Sequence, residues 1–227
     1  MRTICYWMIA TLCGLLLRLL CRVKVLHASH LGDGPLLVVS NHTSHFDPPF
    51  LAGFVPKKLD FMATLGLFAH PLSNLFFTSL DVFPVDRGRH DTSAVRAAVN
   101  RLKQRRRVLM FPEGGIRSGP TSVLGGASLG DGVASLCALA HCPVQPVLLV
   151  GSDQLYDTRA LLRRPRVFLI VGQPLHLDPS LPKREAKLAL TRAVETSWRN
   201  LFVELQQTAG LADREIPRTA QERWAEP

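Results

Sequence analysis

The sequence has few cysteines, and their spacing forms no metal-binding or disulfide pattern. Five occur in 227 residues, at positions 5, 13, 21, 137 and 142, and three of them lie inside the apolar N-terminal segment. An odd number without paired short spacings indicates neither a disulfide framework nor a zinc site. We therefore expect a reducing, cytosolic environment and no bound metal.

Acidic residues are also under-represented. Asp and Glu number 18 against 27 for Lys and Arg, which gives a net charge of +9. Such an excess favours an anionic partner: nucleic acid, an anionic membrane, or a phosphorylated or acidic substrate. Basic residues do not alternate with aromatic residues as in nucleic-acid-binding modules, so we expect no nucleic-acid partner. The length and the 47% hydrophobic content suit one folded α/β domain.

The chain lacks an uninterrupted apolar run of the ~20 residues that a spanning helix needs. It is apolar from Ile4 to Leu17, after which Arg18, Arg22 and Lys24 follow. A cleaved signal peptide is disfavoured because the charges lie behind the apolar stretch and no A-x-A site follows. The stretch could also be a buried core helix.

We interpret residues 1–28 as a membrane anchor that lies in the bilayer or partly crosses it. Tyr6 and Trp7 would occupy one interface, and the basic cluster would face the cytoplasm. The protein is thus expected at the cytoplasmic face of a membrane.

Short β-rich runs alternate with helical patterns after the anchor. This alternation predicts an α/β domain over residues 29–207, with a mixed, largely parallel sheet flanked by helices. Predicted strands are Pro35–Ser40, Leu59–Ala63, Val82–Asp86, Val108–Phe111, Val144–Val150 and Val167–Val171. Predicted helices are Asp47–Phe54, Leu65–Ser79, Thr92–Gln104, Gly132–Ala140 and Lys183–Gln207. The last helix should bury Leu188, Val194, Trp198, Leu201 and Leu205. Residues 208–227 are polar and predict a loose tail.

The stretch NHTSHFD holds a candidate catalytic pair. His42 follows an apolar strand, at the end where open α/β sheets bind ligands. On a regular helix Asp47 would point ~140° away from His42, so the intervening backbone must turn for the two to meet. Pro48 and Pro49 suit a first helical turn capped by Asp47. The pair would then act as a general base and its partner, whereas His45 lacks such an aspartate and is interpreted as a loop residue.

A glycine-rich turn follows the strand that ends at Phe111. In FPEGGIRS, backbone N–H groups and the guanidinium of Arg117 are suited to an anion such as phosphate. Glu113 and Arg117 could equally be a solvated pair in an ordinary turn. Arg87, at the end of another predicted strand, could be a surface charge, and CPVQPVLL alone indicates a buried strand near a bend.

Together, NHTSHFD, FPVDRG, FPEGGIRS and CPVQPVLL resemble the four sequence blocks of the glycerolipid acyltransferase family. The resemblance implies His42 as general base and Asp47 as its partner. It implies that Arg87, Glu113 and Arg117 bind the acceptor's glycerol phosphate, and it matches Gly114 and Pro146 to block residues.

Four positions depart from the family pattern. Gly115 replaces a threonine and Ile116 is an extra residue before Arg117, while Thr64 and Asp81 replace a common lysine and a common glycine.

The resemblance implies an O-acyltransferase that moves a fatty acyl group from acyl-CoA or acyl-carrier protein to a lysophospholipid, above all 1-acylglycerol 3-phosphate. It would need no cofactor and no metal, and its partners would be the lipid acceptor, the donor and the membrane surface. Another lysolipid acceptor and a non-catalytic membrane lipid-binding protein are the alternatives.

Overall fold

A computed structural model describes residues 2–86 and 91–225 of the chain. Its strands are β1 (Arg22–Leu26), β2 (Leu36–Ser40), β3 (Asp60–Thr64), β4 (Phe83–Val85), β5 (Arg107–Met110), β6 (Val144–Val150) and β7 (Arg166–Val171). Its α-helices are α1 (Arg2–Leu20), α2 (Asp47–Phe54), α3 (Pro71–Ser79), α4 (Thr92–Lys103), α5 (Gly132–Ala140), α6 (Thr158–Leu162), α7 (Lys183–Ala209) and α8 (Ala220–Ala225).

The seven strands form one mixed sheet in the order β1-β7-β6-β2-β5-β3-β4. Among the strands of the described residues, β6 and β7 pair antiparallel and all other neighbours are parallel. The predicted fold class is therefore confirmed. Because β7 is reversed, its start lies at the same edge of the sheet as the carboxyl ends of β6, β2 and β5.

The core occupies both faces of the sheet. Strand β2 is buried along its whole length, with Leu37 and Val39 packing in one layer and Leu36 and Val38 in the other. A central strand covered on both faces reads as a continuous apolar run, as in LLVVS.

Helix α7 buries most of the predicted face but not all of it. Val194, Trp198, Leu201 and Leu205 are buried, whereas Leu188 is 51% exposed. Leu190 takes the buried position instead, because it lies one helical turn before Val194. The predicted helix Leu65–Ser79 also divides, into a 3₁₀ turn and α3, which begins at Pro71.

The N-terminal region differs from a simple anchor over residues 1–28. Arg22–Leu26 forms the edge strand β1, which pairs with β7. Helix α1 docks on α2, with Gly14 and Gly53 so close that a Cβ on Gly53 would lie 2.8 Å from the Gly14 nitrogen. Tyr6 points into the protein and is 3% exposed. The prediction that it lies at a membrane interface is therefore wrong.

The C-terminal segment is not a loose tail. It forms a 3₁₀ turn at Asp213–Glu215 and helix α8, and it packs on the 3₁₀-helix Ser152–Tyr156. Buried Arg223 donates to the fully buried carboxylate of Asp153 at 2.6 Å. One buried ion pair thus holds a segment whose polar composition indicates disorder.

Candidate active site

The structure brings His42 and Asp47 into direct contact. His42 follows β2 and Asp47 is the first residue of α2, and Nδ1 of the imidazole lies 2.8 Å from Oδ2 of the carboxylate. The residues between them form a turn instead of a regular helix, which removes the angular separation of a five-residue helical spacing. The prediction that Asp47 is the N-cap of α2 is wrong, because Phe46 occupies that position.

The Asp47 carboxylate is fully buried and accepts hydrogen bonds on both oxygens. Oδ2 accepts from the backbone N–H groups of Thr43 at 2.7 Å and Ser44 at 2.9 Å, in addition to His42. Oδ1 accepts from the hydroxyl of Ser152 at 2.5 Å. With Asp47 acting as acceptor, the imidazole proton resides on Nδ1, which leaves Nε2 as the nitrogen able to take a proton.

The backbone of His42 is held by the glycine-rich loop. Its N–H donates to Oε2 of Glu113 at 2.9 Å, and its carbonyl accepts from the N–H of Arg117 at 2.7 Å. Oε1 of Glu113 accepts from the N–H of Val123 at 2.9 Å, and burial raises the pKa of this carboxyl. Glu113 thus links the loop to the end of β2 through hydrogen bonds. Its contact with the substrate stays a prediction.

The loop between Glu113 and Arg117 lies beside His42, since both flanks bond to the histidine backbone. Gly114 has φ 74°, a left-handed conformation that favours glycine. Within the described residues, the N–H groups of Gly115 and Ile116 donate to no acceptor. The Arg117 side chain is exposed to solvent. Despite the extra residue Ile116, the Arg117 backbone therefore contacts His42, while the Arg117 side chain faces solvent.

The remaining residues noted in the sequence do not contact the His42–Asp47 pair in the part of the chain that the structure describes. Arg87 lies outside the described residues. His45 turns away from the pair, and its Nδ1 lies 2.6 Å from the hydroxyl of Tyr156. Asp81 has φ 62°, which accounts for the glycine common at this position, and its carboxylate bonds to Lys58 at 2.5 Å. Thr64 is exposed at the end of β3.

Sequence reasoning missed three side chains at the site. Ser152 holds Asp47, and the side-chain amide of Asn41 bonds both backbone groups of Leu149 at 2.8 Å, joining β2 to β6. Phe111 stacks on the His42 ring with centroids 4.2 Å apart. A signal was present for each, because polar or aromatic residues directly after neighbouring strands gather at one edge of a sheet.

An apolar cavity of ≈ 220 Å³ is lined by Phe111, which stacks on His42, and by Pro48, which follows Asp47. Residues of α1, α2, β3 and α3 and of the segments beside them form the rest of its wall. Its other wall residues include Tyr6, Ala10, Cys13, Ala52, Phe61, Met62, Phe76 and Phe77. A hydrocarbon group could therefore be buried next to a group able to accept a proton.

Comparisons with known proteins agree on one family. A family model described as "Acyltransferase" matches residues 22–150. A protein from Bacillus subtilis (strain 168), named 1-acyl-sn-glycerol-3-phosphate acyltransferase, is 26% identical over 189 residues, which is 82% of this chain and 90% of that protein. A protein of the same name from Streptococcus pneumoniae is 28% identical over 77% of this chain and 63% of its own length.

A solved structure has the same fold. The crystal structure of the 1-acyl-sn-glycerophosphate (LPA) acyltransferase PlsC from Thermotoga maritima superposes with a TM-score of 0.59 at 24% identity, covering 86% of this chain and 81% of that one. The family model covers more than half of the chain, including His42, Asp47 and the glycine-rich loop. The resemblance noted in the sequence is thereby confirmed, and the chain belongs to the acyltransferase family.

Proposed function

We propose that this protein transfers a fatty acyl group from a thioester to the free hydroxyl of 1-acylglycerol 3-phosphate, giving phosphatidic acid. The observation that carries the proposal is the His42–Asp47 pair. Nε2 of the imidazole has no hydrogen-bond partner within the described residues, and the ring stacks on Phe111, a wall residue of the apolar cavity. The names of the two curated relatives and of the solved structure support the same acceptor.

His42 is the general base in the proposed reaction. Its Nε2 removes the proton of the acceptor hydroxyl as that oxygen attacks the thioester carbonyl. Asp47 fixes the imidazole through Nδ1 and stabilises the positive charge that forms. The tetrahedral intermediate then collapses, the C–S bond breaks, and the imidazolium returns the proton to the leaving thiolate.

The glycine-rich loop would stabilise the oxyanion of that intermediate. The N–H groups of Gly115 and Ile116 lie in the loop whose two flanks bond to the backbone of His42, and they are not used within the described part of the chain. Preorganised N–H donors at such a position typically lower the barrier by ~3 to 4 kcal/mol. The scheme uses no metal and no cofactor.

The substrates would meet at this edge of the sheet. The apolar cavity suits an acyl chain, because its walls are almost entirely hydrocarbon. The exposed guanidinium of Arg117 suits the acceptor's phosphate, and Arg87 remains a predicted second ligand. The thioester donor is acyl-CoA or acyl-carrier protein.

The membrane would be contacted by the outer face of α1. By length and composition this helix could cross a bilayer. Only 22% of its most apolar 18-residue stretch is buried in the protein, so most of it is open to a membrane. Its exposed residues include Ile4, Met8, Leu12, Leu15, Leu16 and Leu19, and Leu72 and Leu75 of α3 are also exposed. We propose that this surface lies in the cytoplasmic leaflet, where the lipid acceptor resides.

The decisive experiment compares two histidines of one motif. His42→Ala should lower acyl transfer to 1-acylglycerol 3-phosphate by at least ~10², since general base catalysis contributes 10² to 10⁴. His45→Ala is the matched control, because its ring is turned toward Tyr156. Near-normal transfer by His42→Ala would remove His42 from the mechanism. A panel of lysolipids identifies the acceptor, and faster transfer to another lysolipid would favour that alternative.

A further inference from the structure

A second cleft, of ≈ 380 Å³, lies between the starts of β1 and β7 and the C-terminal segment. Six arginines from separate parts of the chain line it, against two acidic residues, Asp157 and Glu215. The arginines are Arg22, Arg163, Arg164, Arg166, Arg214 and Arg223. Nothing in the acyl-transfer mechanism uses this cleft.

Only two of the six arginines form ion pairs within the described residues. Arg166 pairs with Glu215, and Arg223 pairs with buried Asp153. In the same described part of the chain, Arg22, Arg163 and Arg214 have no carboxylate within salt-bridge distance.

Arg164 has no carboxylate partner within the described residues either. Its guanidinium donates to the Arg18 carbonyl at 2.6 Å. Four arginines without a carboxylate partner in the described residues therefore line one concave surface, and their combined charge favours the binding of an anion.

The cleft and the catalytic pair lie on two sides of one short helix. Ser152 begins the 3₁₀-helix Ser152–Tyr156 and bonds to Asp47, whereas Gln154 of the same helix lines the cleft and donates to the Arg166 carbonyl at 3.0 Å. Because β7 runs antiparallel to β6, its first residues lie at the edge of the sheet where the catalytic pair is found.

We propose that the arginine cleft binds the phosphate groups of the acyl donor, and that the donor is the nucleotide thioester acyl-CoA. This inference rests on the proposed function. Coenzyme A carries a diphosphate and a 3′-phosphate at the end remote from its thioester, and guanidinium groups bind phosphates bidentately. A concave cleft of this volume suits a small molecule and not the convex surface of a carrier protein.

The acceptor has only one phosphate, which the glycine-rich loop at the opposite side of the catalytic pair would bind. The two sites together would place the donor's thioester and the acceptor's hydroxyl at His42 from different directions.

The first test is the ratio of kcat/KM for acyl-CoA to that for an acyl-pantetheine thioester, which lacks all the phosphates. The double variant Arg163→Ala/Arg214→Ala should lower this ratio about tenfold or more through KM, as expected for lost charge-assisted contacts. The control is Arg96→Ala/Arg184→Ala, which removes the same charge from exposed positions on α4 and α7. An equal ratio in the two double variants would overturn the proposal.

The second test separates donor phosphate from lipid phosphate. Adenosine 3′,5′-bisphosphate should bind the wild type by calorimetry and bind the cleft variant at least several-fold more weakly, while both bind phosphatidylglycerol vesicles equally. Loss of vesicle binding with unchanged bisphosphate binding would overturn the donor assignment. Because calorimetry needs no turnover, it tests the cleft even if acyl transfer to 1-acylglycerol 3-phosphate is not observed.

Discussion

The hydroxyl of Ser152 donates to Oδ1 of Asp47 at 2.5 Å, while His42 contacts the other carboxylate oxygen. Ser152 is fully buried and its oxygen also lies 3.2 Å from the hydroxyl of Thr43. The carboxylate is thus held from two sides, by the turn that precedes α2 and by the segment that follows β6. This second support adds to the two backbone N–H groups that hold the oxygen facing the imidazole.

Ser152→Ala should therefore lower kcat and leave KM for both substrates nearly unchanged. The variant removes one donor to a buried carboxylate, which typically costs ~1.5 to 3 kcal/mol. Oδ2 of Asp47 keeps its donors from Thr43 and Ser44, but Oδ1 loses its own, so the carboxylate and the imidazole bonded to it are held less firmly. Steady-state kinetics with Ser135→Ala as control measure the effect. A rise in KM with unchanged kcat would show that Ser152 acts on substrate binding and not on the catalytic pair.

The contact explains what the sequence could and could not reveal. His42 and Asp47 are five residues apart, so a local motif was sufficient to pair them. Ser152 is 105 positions from Asp47, and only the parallel pairing of β2 with β6 brings the two together. Residue types after strands predict which edge of the sheet holds a site, but not which side chains touch there.

Strand β1 illustrates the same limit. Its sequence RVKVL follows an apolar helix and carries two basic residues, so it reads as the end of an anchor. Its partner β7 lies more than a hundred residues later, and the pairing depends on that distant strand. By contrast, the bounds of α2, α5 and β6 were predicted correctly, because prolines, glycines and apolar runs mark them locally.

Arg117→Ala should raise the KM for 1-acylglycerol 3-phosphate by about ten- to hundredfold, the usual loss for a charged hydrogen bond to phosphate. The loss should be much smaller for an acceptor without that phosphate. Arg117→Lys should recover only part of it, because an ammonium cannot bind bidentately. Arg96→Ala is the control. A silent Arg117→Ala would mean that the extra residue Ile116 turns this guanidinium away from the acceptor.

Arg223→Ala should destabilise the protein by about 3 to 5 kcal/mol, since it leaves the buried carboxylate of Asp153 without its guanidinium. The 3₁₀-helix that carries Ser152 would loosen, so kcat should fall although the lost ion pair is with Asp153 and not with the His42–Asp47 pair. Chemical denaturation and amide exchange at residues 152–156 measure the two effects, with Arg192→Ala as control. Unchanged exchange there would contradict the coupling between the C-terminal segment and the site.

The outer face of α1 gives the prediction about the membrane. Leu12 and Leu16 are 56% and 50% exposed, and Leu188 and Val203 of α7 are 51% and 48% exposed on the other side of the sheet. Leu12→Lys/Leu16→Lys should abolish flotation with neutral vesicles, because charged side chains cannot enter the hydrocarbon region without a large free-energy cost. The control variant Leu188→Lys/Val203→Lys gains the same charge, and it should float with the vesicles as the wild type does.

Activity separates attachment from catalysis in the same two variants. With acceptor embedded in vesicles, the α1 variant should lose most of its turnover, whereas with acceptor dispersed below its micellar concentration it should match the α7 variant, because α1 keeps its inner face on α2. High salt distinguishes the basic surface from the apolar one, since screening weakens only electrostatic attachment. If the α1 variant still floats in high salt, another surface, such as exposed Leu72 and Leu75 of α3, is the main membrane contact.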